Sequence, residues 1–201
     1  MMDRKGVAEK AAKLIRAGTV PPVLVCALLL IVYFFCPDVF AGPVQLALSL
    51  LFLVAVPLLA YPLAALLPLY RKQGREGQRN LAFLLNPLGY LAAVIYGCSA
   101  DVSRSLLLIY LTYFLSVAVL LIFNKVLRQR ASGHACGIAG PLILLIYFIG
   151  WMCVLPCAII FAAVTWSSLY LHRHTPGELT AGSVTALLSF VMSLLLVSWL
   201  I

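Results

Sequence analysis

Long apolar runs alternate with short polar stretches along this chain. Reading uninterrupted apolar stretches of about 17 residues or more as candidate membrane spans gives seven of them, at 20–36, 44–70, 81–98, 106–123, 137–152, 154–171 and 179–201. The pattern predicts an all-α fold, a polytopic transmembrane helix bundle with six or seven spans. The fifth and sixth runs are short and almost continuous. A turn is expected near 150–156, because Pro156 has no amide hydrogen and is best tolerated at a helix start. The second run contains Pro57, Pro62 and Pro68, each removing a backbone hydrogen bond, so a kink or tilt is expected there. Residues 1–19 form a basic amphipathic N-terminal segment, and 20–201 a single transmembrane domain.

In that N-terminal segment Val7, Ala11, Leu14 and Ile15 fall on one helical face, with Lys5, Lys10, Lys13 and Arg16 elsewhere. Two readings fit: an interfacial helix suited to anionic headgroups, or a solvated basic tail ahead of the first span. A cleaved signal over residues 1–41 is a weaker rival, since the basic region is long for one and Val39-Phe40-Ala41 is a poor cleavage site.

Composition strengthens the membrane reading. Of 201 residues, 64% are hydrophobic and only 10% charged, with mean hydropathy +1.10; a soluble domain carries about a quarter charged residues. Six cysteines, at 26, 36, 98, 136, 153 and 157, lie mostly inside spans with no zinc-type pairing, and read as small apolar packing residues. The Gly133–Gly137 and Ala135–Ala139 spacings offer a small-residue face for close helix contact.

Charge is distributed unevenly. Once the spans are drawn, Arg4, Lys5, Lys10, Lys13, Arg16, Arg71, Lys72, Arg75, Arg79, Lys125, Arg128, Arg130 and Arg173 fall on one face, and Arg104 alone on the other. By the positive-inside rule this predicts a multi-pass protein whose N-terminus and basic loops are cytoplasmic. The net charge of +8 is thereby committed to a membrane face. The implied partners are membrane lipids with anionic headgroups, and not nucleic acid.

Two polar islands stand out between the apolar runs, at 125–139 and 167–178. The first carries Lys125, Arg128, Arg130 and then Ala131-Ser132-Gly133-His134. The second carries Ser167-Ser168, His172, Arg173, His174 and Glu178. Such groups are costly in a membrane protein unless they meet at a wet face. Thirty-four residues separate His134 from Ser168, enough for one helix out and one back.

These islands resemble the second and third motifs of the type 2 phosphatidic acid phosphatase superfamily, membrane-embedded lipid phosphatases. The family's motifs read Pro-Ser-Gly-His and Ser-Arg-x5-His-x3-Asp; here stand Ala131-Ser132-Gly133-His134, and Ser167-Ser168 with His174 and Glu178 at the matching spacing. The resemblance covers roughly 123 to the C-terminus, with the motifs themselves in 123–182. It implies a metal-independent hydrolase with no cofactor, acting on a lipid phosphate or diphosphate such as phosphatidate, phosphatidylglycerophosphate or a polyprenyl diphosphate. It also implies that His174 attacks phosphorus, Glu178 holds its other ring nitrogen, and His134 protonates the leaving oxygen. Ser132 and the Gly133 amide would bind phosphoryl oxygens. Because imidazole titrates near working pH, one histidine can serve as a neutral nucleophile and the other as a charged acid.

The chain departs from the family at three places. The first motif, Lys-x6-Arg-Pro, is missing in that form. Lys125, Arg128 and Arg130 lie directly before Ser132, where a shortened version belongs, and are the preferred phosphate ligands. Lys72 and Arg79 keep the spacing but lie two spans earlier, and are the alternative. The third-motif arginine is Ser168, with Arg173 the nearest residue to compensate, and Glu178 replaces aspartate.

Other readings stand beside these. The basic residues also suit topology anchors and lipid-headgroup contacts, and His172 suits an interfacial or capping group. Asp38 and Asp101 read as loop or turn residues, and Asn86 and Tyr90 as packing or local hydrogen-bond groups rather than substrate ligands. The functional rival is a non-catalytic protein of the same fold that binds anionic lipid or scaffolds a complex. A transporter is disfavoured, because no span carries the buried charges of a coupling pathway.

Overall fold

The computed structural model describes residues 4–128 and 130–200, excepting the side chains of residues 4, 5, 75, 125 and 200. The described residues form helices joined by short turns, with no strand. We number the principal helices α1 (Arg4–Gly18), α2 (Pro21–Phe35), α3 (Pro43–Leu66), α4 (Arg75–Ser99), α5 (Arg104–Leu121), α6 (Gly133–Ile149), α7 (Val154–Tyr170) and α8 (Pro176–Leu200). Five stretches are long and apolar enough to cross a membrane: Pro43–Leu66, Glu76–Ser99, Arg104–Asn124, Trp151–Tyr170 and Pro176–Trp199. A sixth arises if α1 and α2, bent by 55° at their junction, count as one span. α6 is apolar but shorter, at 17 residues. The protein is a membrane protein by this measure.

Helix boundaries follow local chemistry. α2 starts on Pro21 and Pro22, where the missing amide hydrogens are not needed. α3 contains a π-helical stretch, Leu51–Ala55, just ahead of Pro57. It stops at Leu66, short of the Tyr70 that hydropathy alone indicates, because Leu67 is extended at φ −79°, ψ 118° ahead of Pro68, whose ring disfavours the helical region for its predecessor. Pro68–Arg71 is then a separate short turn. Between α6 and α7, Gly150 takes φ 88°, a left-handed conformation that glycine tolerates, and a 3₁₀ turn, Trp151–Cys153, leads into α7. The turn lies where Gly150 and Pro156 place it.

α5 is the centre of the bundle. It is the most enclosed of the apolar helices and packs against α4, α6 and α8, with Leu106, Ile109 and Tyr110 fully buried. α8 meets it through a small-residue face in which Thr185, Ala186, Ser189 and Ser193 are all buried. Their hydroxyls return to their own helix, Ser189 Oγ to the Thr185 carbonyl at 2.8 Å and Ser193 Oγ to the Ser189 carbonyl at 2.7 Å. The face is therefore polar in composition yet satisfied, and lets two backbones approach. In the same core Tyr110 Oη and Ser49 Oγ share a hydrogen bond of 2.6 Å, which removes the penalty of burying either alone.

The antiparallel alternation brings the α1–α2 junction, the end of α3, the start of α4, the α5–α6 turn and the α7–α8 turn to one end of the bundle. That end receives the basic residues. The opposite end exposes Phe34, Phe35, Trp151, Met152 and Trp199, with Trp151 and Trp199 suited to a membrane–water boundary.

Gly137 marks where α6 crosses the start of α2. A Cβ there would stand 2.7 Å from Pro21 Cβ and 2.8 Å from its Cγ, whereas nothing lies within 4 Å of one built on Gly140. Gly137→Leu is therefore expected to cost about 1–3 kcal/mol through overpacking. Gly140→Ala should leave stability unchanged or raise it by up to ~1 kcal/mol through helix propensity. Thermal unfolding in detergent checks the pair; equal midpoints for the two variants would refute the crossing.

Candidate active site

Three backbone devices bring the two polar islands together. The first is the end of α7. His172 adopts φ 50°, its N–H reaches the Leu169 carbonyl at 3.0 Å, and the Arg173 N–H reaches the Ser168 carbonyl at 3.0 Å. This is the paired closure of a Schellman cap, with histidine at the left-handed position where glycine is usual. It turns the chain sharply, leaving His172 exposed and His174 half-buried.

The second device starts α8. Thr175 Oγ1 accepts from the Glu178 N–H at 3.2 Å, and Glu178 Oε2 accepts from the Thr175 N–H at 3.3 Å, a reciprocal capping box with Pro176 in the first turn. The same Oε2 stands 3.1 Å from His174 Nδ1. A carboxylate only accepts, so this bond requires the hydrogen on Nδ1 and leaves the Nε2 lone pair free. Glu178 thus caps the helix and selects the tautomer of His174.

The third device starts α6. Ser132 is its N-cap, with Oγ accepting from the Ala135 N–H at 3.1 Å, an ordinary capping arrangement that still leaves the hydroxyl hydrogen available as a donor. The Ser132 N–H donates to the Glu178 carbonyl at 2.9 Å, joining the two islands directly. Gly182 permits this approach, since a Cβ there would collide with the Ser132 carbonyl oxygen and lie 3.1 Å from Ala135 Cβ. Asn124, at the end of α5, secures the intervening turn by donating Nδ2 to the Leu120 carbonyl at 2.9 Å and the Ala131 carbonyl at 3.1 Å.

These elements enclose a recess of about 380 Å³ at the basic end. Its polar lining is Arg79, Asn86, Asn124, Arg130, Ser132, Gly133, His134, Arg173, His174 and Glu178; Pro21, Tyr61, Phe83, Val117 and Leu120 supply apolar wall. Of the residues singled out from sequence, His134, His174, Glu178, Ser132, Gly133, Arg130 and Arg173 therefore share one cavity. Arg128 does not line it; it is exposed with φ 51°. From the alternative pair, Arg79 lines the cavity and Lys72 does not. The Lys125 side chain lies outside the described residues. The two candidate first-motif clusters thus each contribute one arginine.

Arg79 is positioned by its own helix, with Nη1 3.7 Å from Glu76 Oε2 and its guanidinium carbon 5.5 Å from the centre of the Phe83 ring. Asn86 also faces the recess, where sequence reasoning placed a packing residue. Its Oδ1 is buried without a partner among the described residues, as is Nε2 of His134. Asn124 and Gly182 were not anticipated. The signal for Asn124 is a lone amide closing an apolar run before a basic loop.

Electrostatics sharpen the picture. Burial, then the Arg16 guanidinium and then His174, hold the His134 proton affinity well below that of a free imidazole. Burial also lowers His174, with Arg16 and Arg79 adding to the effect, while the Glu178 hydrogen bond and charge oppose it. Both imidazoles are held toward neutrality in the protein alone. Two imidazoles, a serine hydroxyl and three arginines line one recess, a donor set whose chemistry suits a tetrahedral oxyanion.

Compared with family models, with curated proteins and with solved structures, the chain matches none of them.

If the recess binds an oxyanion, inorganic vanadate should bind in the full-length protein. Arg79→Ala and Arg130→Ala should each weaken that binding about ten- to a hundredfold, the worth of one charge-assisted contact. Lys72→Ala and Arg128→Ala should change it by no more than about threefold, because neither side chain lines the recess and each acts only as a distant screened charge. Calorimetric titration in detergent measures the four affinities, and the reverse ranking would remove the cavity from consideration.

Proposed function

We propose that this protein is a membrane-embedded lipid phosphatase, a divergent member of the type 2 phosphatidic acid phosphatase superfamily, acting through a phosphohistidine. The observation that carries the reading is the Glu178–His174 pair facing His134 and Arg130 across one recess, with residues about forty positions apart delivered by two separate helix turns. The substrate class is a lipid phosphate or diphosphate. Its headgroup occupies the recess while its chain lies against the apolar wall and the surrounding bilayer.

Arg79, Arg130 and Arg173 hold the phosphoryl oxygens, with the Ser132 hydroxyl and the Gly133 amide at the start of α6 as further donors. His174 Nε2, freed by the Nδ1–H bond to Glu178, attacks phosphorus; the N–P bond forms as the P–O bond to the lipid breaks. His134 gives its proton to the departing oxygen. Water then gives a proton to His134 and its hydroxyl to phosphorus, breaking the N–P bond and releasing inorganic phosphate. The charged form of His134 that this needs is disfavoured in the protein alone. A bound phosphate dianion supplies the negative charge that restores it.

Chelator should leave activity intact and His174→Ala should abolish it. The wild type should accumulate an acid-labile, base-stable phosphoryl adduct that disappears in His174→Ala. Because His174 is held below the ordinary value of 6.5, it stays neutral into mildly acid solution. The acid limb of kcat/KM should therefore fall below about pH 6.5. Full activity in His174→Ala would refute the nucleophile, and a well-folded wild type inactive on every lipid phosphate would favour a non-catalytic anionic-lipid-binding protein.

The site and N-terminus face the cytoplasm in this reading, in a bundle of six or seven spans with α6 crossing beside α7, because the basic end retains nearly all the Lys and Arg residues. In a background lacking the six cysteines, Gln73→Cys should resist an impermeant thiol reagent in intact cells, and Asp38→Cys, at the opposite end, should react. The opposite labelling pattern would place the site outside.

A further inference from the structure

α1 reaches the site from the opposite end of the sequence. It packs along α7, with Ala12 fully buried and Leu14 and Val7 turned outward, and its last turn carries Arg16. Arg16 Nη1 donates to Ser168 Oγ at 3.0 Å across 152 positions of sequence. Ser168 is fully buried and lines a small void that also touches His134; its carbonyl accepts the Arg173 N–H in the cap that aims His174. A cation at the last turn of α7 also meets the negative end of that helix. Beside it, Lys13, Arg16 and Arg173 line an open groove of about 290 Å³, and Arg173 borders the main recess as well. The guanidinium of Arg16 thus stands against the hydroxyl of Ser168, in the groove beside the main recess.

We propose that Arg16 is a positioning residue of this site: docked on Ser168, it locks α1 against the α7 cap and sets the positive field around His134 and His174. The inference rests on the phosphatase reading for its effect on turnover, but not for its effect on the histidines. The groups acting on His174 are Glu178, which favours the proton, and Arg16 and Arg79, which oppose it. Those acting on His134 are Arg16 and His174. Among the described residues, Arg16 is the cation common to both sets.

The test follows both histidine rings by NMR titration in the full-length protein in detergent, alongside lipid phosphatase turnover. In Arg16→Gln both titration midpoints should rise, kcat/KM should fall about ten- to a hundredfold, and its acid limb should move to higher pH. Arg16→Lys should return the midpoints most of the way, and Arg16→Ser with Ser168→Arg should return part of the activity. Unchanged midpoints in Arg16→Gln would overturn the proposal, as would a loss of activity that Arg16→Lys and the exchange both fail to relieve. If the wild type proves inactive, the phosphatase reading fails while the titration still decides the role of Arg16.

Discussion

The hydrogen bond from the Ser132 N–H to the Glu178 carbonyl is the contact on which the arrangement of this end of the molecule depends. It ties the start of α6 to the start of α8, and both helix starts carry side chains that face the recess. The bond is short because Gly182 has no side chain to keep the helices apart. It is protected because Asn124 pins the neighbouring Ala131 carbonyl to α5. A backbone bond of this kind holds two otherwise independent caps in register, and with them the helix starts that carry His134 and Glu178.

The same caps show how structural and chemical roles overlap. Ser132 and Glu178 both satisfy helix ends, a need that any helix of these lengths would have. Each nevertheless retains capacity beyond the cap: the serine its hydroxyl hydrogen, the carboxylate a bond to His174. Capping groups are rigid because they complete the backbone hydrogen bonding, which is the property a site needs for orientation. The cap of α7 works similarly. It strains His172 into a left-handed conformation and thereby returns His174 toward the bundle.

Positive charge is gathered at this end from four separate parts of the chain: Arg16 on α1, Arg79 on α4, Arg130 before α6 and Arg173 after α7. None is close in sequence to all the others. Mutual repulsion among them is moderated because the recess opens at the polar end of an otherwise apolar bundle, where solvent screens exposed charges. Burial holds both histidines toward neutrality, and the positive charge adds to it, through Arg16 on both rings and Arg79 on His174.

Hydropathy alone determined the helical class and the order of the apolar helices, because backbone groups in a membrane must be paired within each segment. The paired spacing around His134 and His174 likewise placed both islands at one end, since one helix out and one back returns the chain to its starting side. Proline and glycine positions located the breaks at Leu67 and Gly150. Tertiary structure alone decided which cations share the recess. Arg79 is brought there, and Arg16 to Ser168 in the adjoining groove, by helix packing over long sequence separations, whereas Arg128, four residues from Ser132, does not line the recess. Sequence spacing reports direction only within one helix. Between helices, direction depends on crossing points such as Gly137 against Pro21 and Gly182 against Ser132, where the absence of a side chain leaves no hydropathy signal to read.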